Sequence, residues 1–364
     1  MTVKPMNHIE RGFASLTNEP VDRLLTYPLA MGVNRRLVNG GVSYREWAHD
    51  PQLFAKSFIE GQKAYDFDFA IGLMDLSVMA GDLGAHVRFD HENTPFVDEH
   101  IIHDPEDYEK LEVPDIRKGR SGVLLEGTKL FAQALNKDII TAGFVEGPLL
   151  ALSQSASAER LFIDMYRNPS AVHHALETLT EYDSQMIDGF AETGVAGLTW
   201  DYLWGNYSCL GDAEYHEFEA QYAKKLNQHT ADKGLALCIH NCADMPHLDT
   251  QIKEFKPAIY SMAWYPLNPD SPSATKTIAD GYADNCLIGG NIDPQLFLGG
   301  SLEKITKTTS TVTQEVKTAL CKRGLNSKYV IASGCEVPPD LYTRLDNISA
   351  VVDTVKKEGT PLEL

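Results

Sequence analysis

The strongest chemical pattern in this sequence is a histidine and two cysteines at the ends of apolar segments. The apolar run LALCIHNC finishes with His240 and Cys242, and the run KYVIASGC finishes with Cys335. In a β-strand, residues i and i+2 point to the same side, so the imidazole and the first thiol converge. One imidazole with two thiolates suits Zn²⁺, and three protein ligands leave a coordination position open, as in catalytic zinc sites. A structural role is the alternative, because buried free cysteines often pack as small hydrophobic side chains.

Carboxylates and aromatic rings stand at the ends of other apolar runs. Asp75, Glu146 and Asp201 are the candidate catalytic residues. A carboxylate of this kind, with Asp201, Glu146 and Glu336 as candidates, can occupy the fourth position of a resting zinc ion or transfer a proton. Aromatic rings at a barrel exit favour an aromatic substrate, although core packing of the rings and ion pairing of the arginine are alternatives. The candidate substrate-binding residues are Trp200, Tyr202, Trp204, Tyr207, Trp264, Tyr265, Arg35 and Asn291.

Eight short apolar runs alternate with longer helical segments along the chain. Their continuous apolar character is typical of strands that are buried on both faces of a parallel sheet. This alternation predicts an α/β fold, a (β/α)8 TIM barrel, whose chemistry lies at the C-terminal ends of the strands. We expect one barrel domain over residues 1–364, with an N-terminal extension over 1–22 and a rim excursion over about 89–120. The predicted strands are Arg23–Met31, Phe69–Asp75, Asp138–Val145, Val195–Asp201, Leu235–Cys242, Ala258–Tyr265, Asn285–Ile292 and Lys328–Cys335.

Composition and charge exclude several functional classes. The 364 residues include 32 basic and 51 acidic side chains, which gives a net charge of −19 at pH 7. No basic patch stands out against this charge, so we expect no nucleic-acid partner. The sequence contains no run of about 18 apolar residues, so it predicts no transmembrane helix, and the first residues lack the apolar core of a signal peptide. We therefore expect a cytoplasmic protein without membrane association or a disulfide framework, and a homodimer is one assembly that the sequence allows.

The histidine and cysteine trio resembles the zinc motif of a known family. A His-x-Cys pair on the fifth predicted strand with a distant Cys on the eighth is similar to the motif of the corrinoid-dependent methyltransferases in the uroporphyrinogen decarboxylase superfamily. The resemblance covers nearly the whole chain. It implies a barrel of the uroporphyrinogen decarboxylase type, with His240, Cys242 and Cys335 as the Zn²⁺ ligands. The other segments that carry it are Pro28–Leu37, Phe69–Phe89, Leu111–Asp115, Gly143–Leu152 and Ile288–Asp293.

The resemblance also implies a reaction. The chain has no Asp-x-His-x-x-Gly corrinoid signature, so the corrinoid (cobalamin) must be supplied by a separate corrinoid protein. The aromatic residues favour a methoxyaromatic donor whose methyl group passes to cob(I)alamin, with zinc polarising the ether oxygen in this O-demethylation. The alternative is a methylcobamide:coenzyme M methyltransferase, in which zinc binds the acceptor thiol as a thiolate. A decarboxylase of the same superfamily is a second alternative, which leaves the three ligands unexplained.

Overall fold

The computed structural model describes residues 4–90, 93–263 and 272–363. Its strands are β1 (Leu25–Thr26), β2 (Phe69–Gly72), β3 (His86–Arg88), β4 (Phe96–Glu99), β5 (Ile140–Glu146), β6 (Gly197–Asp201), β7 (Ala236–Asn241), β8 (Ile259–Met262), β9 (Leu287–Ile292) and β10 (Tyr329–Ser333). Eight of them form one sheet, in the order β1-β10-β9-β8-β7-β6-β5-β2, and every pairing in it is parallel. Since the two ends of this order are successive strands of the chain, the sheet curls into a nearly closed barrel. The predicted (β/α)8 fold is confirmed.

Helices cover the outside of the barrel, which explains why the strands are apolar on both faces. Every residue of β6 and of β10 is buried. Among the described residues, no helix combines the length and the apolar character that a membrane crossing requires. The α-helices are α1 (His8–Leu16), α2 (Tyr44–Trp47), α3 (Pro51–Tyr65), α4 (Val78–Asp82), α5 (Gly119–Leu135), α6 (Pro148–Ala156), α7 (Ala158–Arg167), α8 (Pro169–Ala191), α9 (Asp212–Tyr215), α10 (Gln221–Asp232), α11 (Ala274–Ala279), α12 (Gln295–Gly299), α13 (Leu302–Lys322) and α14 (Leu345–Glu358).

The barrel closes between β1 and β2 through a buried carboxylate. Asp68, which precedes β2, accepts the backbone N–H of Thr26 at 2.8 Å and donates its own N–H to the Thr26 carbonyl at 3.2 Å. The guanidinium groups of Arg11 and Arg23 pair with the same carboxylate at 2.8 and 2.6 Å. Burial raises the pKa of Asp68, but hydrogen bonds and charges from His8 and the two arginines outweigh it and lower the pKa to about 2. A charged carboxylate therefore joins the two edges of the sheet.

Two parts of the chain differ from a plain alternation of strands and helices. The predicted first strand, Arg23–Met31, pairs only over Leu25–Thr26, because the chain then leaves the sheet and forms a 3-10 helix at Gly32–Leu37. Between α4 and α5, the antiparallel strands β3 and β4 form a hairpin that is followed by a 3-10 helix at Pro105–Lys110. Most of this second insertion falls within the segment 89–120 that the sequence sets apart from the strand–helix crossovers.

Candidate metal centre

The structure brings the three predicted ligands together at the C-terminal end of the barrel. His240 lies near the end of β7, Cys242 follows that strand, and Cys335 follows β10. The ligand atoms of the three side chains all lie within 4.8 Å of one another. Zinc binds sulfur at about 2.3 Å and imidazole nitrogen at about 2.0–2.1 Å, so ligands on one ion stand within about 4 Å of each other. The donor set and its spacing therefore fit a tetrahedral ion with three protein ligands.

A hydrogen bond from the next strand orients the imidazole. The Nδ1 atom of His240 lies 2.9 Å from the hydroxyl oxygen of Ser261 on β8. This contact leaves Nε2 as the nitrogen that faces the cysteines. Hydrogen bonds of this kind to the second ring nitrogen fix the tautomer and the orientation of metal-binding histidines. Ser261 therefore contacts a candidate ligand and was not singled out from the sequence, although its position in a strand next to His240 follows from the barrel order.

The two ligand cysteines differ in acidity. Hydrogen bonds from Cys242 and His240 hold the pKa of Cys335 well below its usual range, in spite of its burial. The Cys335 sulfur, together with burial, raises the pKa of Cys242 well above its usual value. One thiolate is thus already favoured in the folded protein. Because cysteine binds metal as a thiolate, an ion held by both sulfurs would displace the remaining proton.

Register places two carboxyl groups at the same level as the histidine. Glu146 on β5 is aligned with Asp201 on β6, and Asp201 is aligned with His240 on β7. Residues aligned in a parallel sheet face the same side, so these three side chains share the barrel interior. Burial raises the pKa of Asp201 to about 7, with the neighbouring Cys335 adding to the rise and His240 opposing it. Burial, with the charge of Asp75 nearby, raises the pKa of Glu146 well above its usual range.

Two further carboxylates complete the surroundings. The side chain of Glu336, next to Cys335 in sequence, accepts the Gly32 N–H at 2.8 Å, and burial raises its pKa to about 8. Asp75 is held differently, because it forms a buried ion pair with Arg120 and accepts the Ser77 hydroxyl. The carboxylate of Asp75 is therefore engaged by Arg120. Asp201 and Glu146 each keep one buried carboxyl oxygen without a hydrogen-bond partner in the described part of the chain.

The predicted set of substrate-binding aromatic residues is corrected at two positions. Trp200 and Tyr202 are completely buried, and their rings stack on each other with centroids 5.8 Å apart. Trp200 donates to Thr230 and Tyr202 donates to Asn227, both on α10. Since Asp201 faces the barrel interior, its two neighbours on the strand must face the helices. They belong to the core between the sheet and α10, and they do not line a substrate pocket.

The remaining predicted substrate residues differ in their surroundings. The Trp204 indole donates to Ser153 on α6, and its ring packs against a phenylalanine of α7. Arg35 is also corrected, since it is fully buried and donates to the backbone carbonyl of Pro339 at 2.9 Å. Tyr207 is half exposed and Asn291 is partly exposed, so both stay candidates. Trp264 and Tyr265 lie outside the described residues.

Comparison with known proteins decides the family. The family model for uroporphyrinogen decarboxylase (URO-D) matches residues 7–358. The chain belongs to the URO-D family. The resemblance inferred from the sequence is thereby confirmed.

Relatives from both branches of the URO-D family match the chain. A methylcobamide:CoM methyltransferase, MtbA, from Methanosarcina acetivorans is 22% identical over 83% of this chain and 88% of its own. A uroporphyrinogen decarboxylase from Protochlamydia amoebophila is 24% identical over 86% of this chain and 81% of its own. The solved structure of a methyltransferase from Methanosarcina mazei superposes with a TM-score of 0.79 at 20% identity, over 97% of this chain and 99% of that one. The MtbA relatives support an enzyme of the methyltransferase branch, and the superposition confirms the fold.

Proposed function

We propose that this URO-D family protein transfers a methyl group between the corrinoid of a partner protein and a small thiol, with Zn²⁺ held by His240, Cys242 and Cys335. The observation that carries the proposal is the convergence of these three ligand atoms within 4.8 Å at the end of the barrel where chemistry takes place. The MtbA relatives are methylcobamide:CoM methyltransferases, which supports the same chemistry.

A thiol acceptor is favoured over a methoxyaromatic donor by the position of the aromatic rings. The hypothesis of a methoxyaromatic donor depends on aromatic residues at the strand ends. Two of these residues, Trp200 and Tyr202, pack against helix α10. The ligand set itself favours a thiol, because sulfur-rich sites bind a further thiolate readily. The methoxyaromatic reading remains a prediction, and the assay below tests it.

The residues around the ligands have definable roles in this reaction. When bound, Zn²⁺ would act as a Lewis acid that lowers the pKa of the acceptor thiol. Asp201 is suited to receive the thiol proton, because one of its oxygens is buried without a hydrogen-bond partner in the described part of the chain. Its pKa of about 7 is close to the ideal for proton transfer at neutral pH. The new bond joins sulfur to the methyl carbon, and the electron pair of the broken bond stays on cobalt as cob(I)alamin.

The contacts of two arginines, Arg36 and Arg120, disfavour the decarboxylase alternative. A porphyrinogen with several carboxylates needs cationic groups that are available to it. Here Arg120 is committed to Asp75, and Arg36 donates to the backbone carbonyls of Asp340 and Thr343.

The proposal is tested by following the cobalt spectrum with zinc-loaded protein. Methylcobalamin with thiols is expected to yield cob(I)alamin, and cob(I)alamin with methoxybenzoates or methoxyphenols is expected to remain unchanged. Cys335→Ala should abolish the reaction and the zinc content. Cys238→Ala, which changes a buried cysteine on the same strand as His240, is the matched control and should retain both. Methylation of cob(I)alamin by a methoxyaromatic would favour the other substrate, and inactivity with both, even with added corrinoid protein, would refute the proposal.

A further inference from the structure

The residue between two of the ligands faces away from the metal and makes a dense set of contacts. Asn241 lies between His240 and Cys242, and strand alternation turns its side chain to the opposite face. It is completely buried. Its Nδ2 atom donates to the backbone carbonyls of Tyr202 at 2.8 Å and Gly205 at 3.1 Å. An ordinary core position in a strand would hold an apolar residue, so a fully buried amide here needs an explanation.

A second buried amide binds the same two carbonyls. Gln251 lies in a π-helical segment at Asp249–Glu254, and its Oε1 atom is 3.2 Å from Asn241 Nδ2. Its Nε2 atom makes longer contacts, 3.4 and 3.3 Å, with the carbonyls of Tyr202 and Gly205. The hydroxyl of Tyr260 on β8 donates to Gln251 Oε1 at 2.7 Å. A π-helical turn is rare in proteins and is frequent near functional sites.

We propose that Asn241 and Gln251, here named the amide clamp, position the metal ligands of β7 against the loop that follows Asp201. The inference rests on the proposed function, since it assumes that His240 and Cys242 bind zinc. A rotation of the backbone at position 241 would move both neighbouring ligands at once. The clamp opposes such a rotation by fixing the side chain of that residue to the next loop. The two amides are positioning residues that touch no substrate.

Gly205 leaves no room for a side chain beside the clamp. A Cβ atom at Gly205 would overlap the Gln251 amide nitrogen and lie 2.8 Å from a carboxyl oxygen of Glu219. The loop backbone therefore lies in close contact with the clamp. Close packing of this kind transmits small displacements instead of absorbing them. A change at either amide should consequently reach the ligand geometry.

Cobalt substitution provides a test that a purely structural role would not satisfy. Co²⁺ bound by one imidazole and two thiolates gives visible absorption bands that report ligand geometry. Asn241→Ala is expected to shift these bands and to weaken Co²⁺ and Zn²⁺ binding by about 10- to 100-fold, the effect typical of residues that orient metal ligands. Gln251→Ala, one contact further from the ligands, should give a smaller change of the same kind, and the double variant should show less than the product of the two fold-changes.

The chain offers a matched control on another element. Asn347 on α14 is also completely buried, and its Nδ2 atom donates to the backbone carbonyls of Leu296 and Gly300 at 3.0 and 2.9 Å. Asn347→Ala should lower the thermal midpoint of the protein comparably, while the cobalt bands and the affinity stay at their wild-type values. Unchanged bands and affinity in Asn241→Ala, or equal changes in both variants, would overturn the inference. Failure of the wild-type protein to bind Co²⁺ would instead refute the proposed metal centre.

Discussion

Replacing Asp68 by asparagine tests how the barrel is closed. This substitution keeps the size of the side chain but removes the charge that pairs with Arg11 and Arg23 at the seam between β1 and β2. Both guanidinium groups are nearly buried, and among the described residues Arg11 has a second carboxylate partner, Asp22, whereas Arg23 pairs with Asp68 alone. Removal of one partner from a buried ion pair costs about 3–5 kcal/mol. We expect Asp68→Asn to lower the free energy of unfolding at pH 7 by that amount.

The pH dependence of this loss follows from the pKa of Asp68. The folded-state pKa, about 2, lies below the ordinary value of 3.8, so the charged form stabilises the folded state. This contribution is about 2.5 kcal/mol, is complete above about pH 5, and falls as the pH drops through 3.8 toward 2, with about two thirds lost by pH 2.5. Between pH 5 and pH 2.5 the wild-type protein should therefore lose about 1.5 kcal/mol more stability than Asp68→Asn.

Urea unfolding, followed by circular dichroism at several pH values, measures both quantities. Asp22→Asn is the control, because Asp22 is partly exposed and pairs with one of the same arginines. In Asp22→Asn the guanidinium of Arg11 keeps Asp68 as its charged partner, so this control should cost less than Asp68→Asn. A loss below about 1 kcal/mol for Asp68→Asn at pH 7, or parallel pH curves for it and the wild type, would show that other contacts close the barrel.

Three further predictions concern the metal centre. Ser261→Ala should weaken zinc binding by about 10- to 100-fold in competition with a chromogenic chelator, because His240 loses its orienting hydrogen bond; unchanged affinity would contradict this. Gly205→Ala should lower both the melting temperature and the zinc affinity, because the added methyl group displaces Gln251, and a variant with wild-type values would show that the loop moves aside. Asp201→Asn should raise the melting temperature of metal-free protein by a few degrees, because the charged form of this buried group is disfavoured. This increase in melting temperature should grow as the pH rises from about 4 to 7 and then level off. Methyl transfer by the variant should slow by about 10²- to 10⁴-fold. An increase in melting temperature that is independent of pH, or undiminished turnover, would refute the role of Asp201.

Much of the barrel can be predicted from the sequence because its signals are local. Apolar runs predict most of the strands, and helix caps predict most of the helices. One example is Asp50, which caps α3 and precedes its first residue, Pro51. The limits of the first strand are less local, since they depend on where β1 meets β10 and β2. The hydrogen bond from Leu29 to the Ser333 hydroxyl replaces a regular strand contact there, and nothing in the sequence near Leu29 indicates it.

The candidate site shows the same division between local and distant signals. The three ligands stand at strand ends, and the barrel order brings those ends together. Strand alternation also predicts that Trp200 and Tyr202 face outward, because their neighbour Asp201 faces inward. The partners of these residues are different, since they come from distant segments. Arg120 comes from α5 and Gln251 from a π-helical turn, and only the folded chain shows that they reach Asp75 and Asn241.

The charges around the ligands give a physical reason for placing a titrating carboxyl group beside them. Zn²⁺ with two thiolates and a neutral imidazole carries no net charge, and binding of a further thiolate adds one negative charge in a buried site. If the thiol proton moves to Asp201, the total charge of the site stays constant during binding. Glu146 is less suited to this role than Asp201, because burial and the neighbouring carboxylates raise its pKa well above its usual range. The proposed reaction therefore requires a group that titrates near pH 7, and Asp201 is the aligned neighbour of His240 that does so.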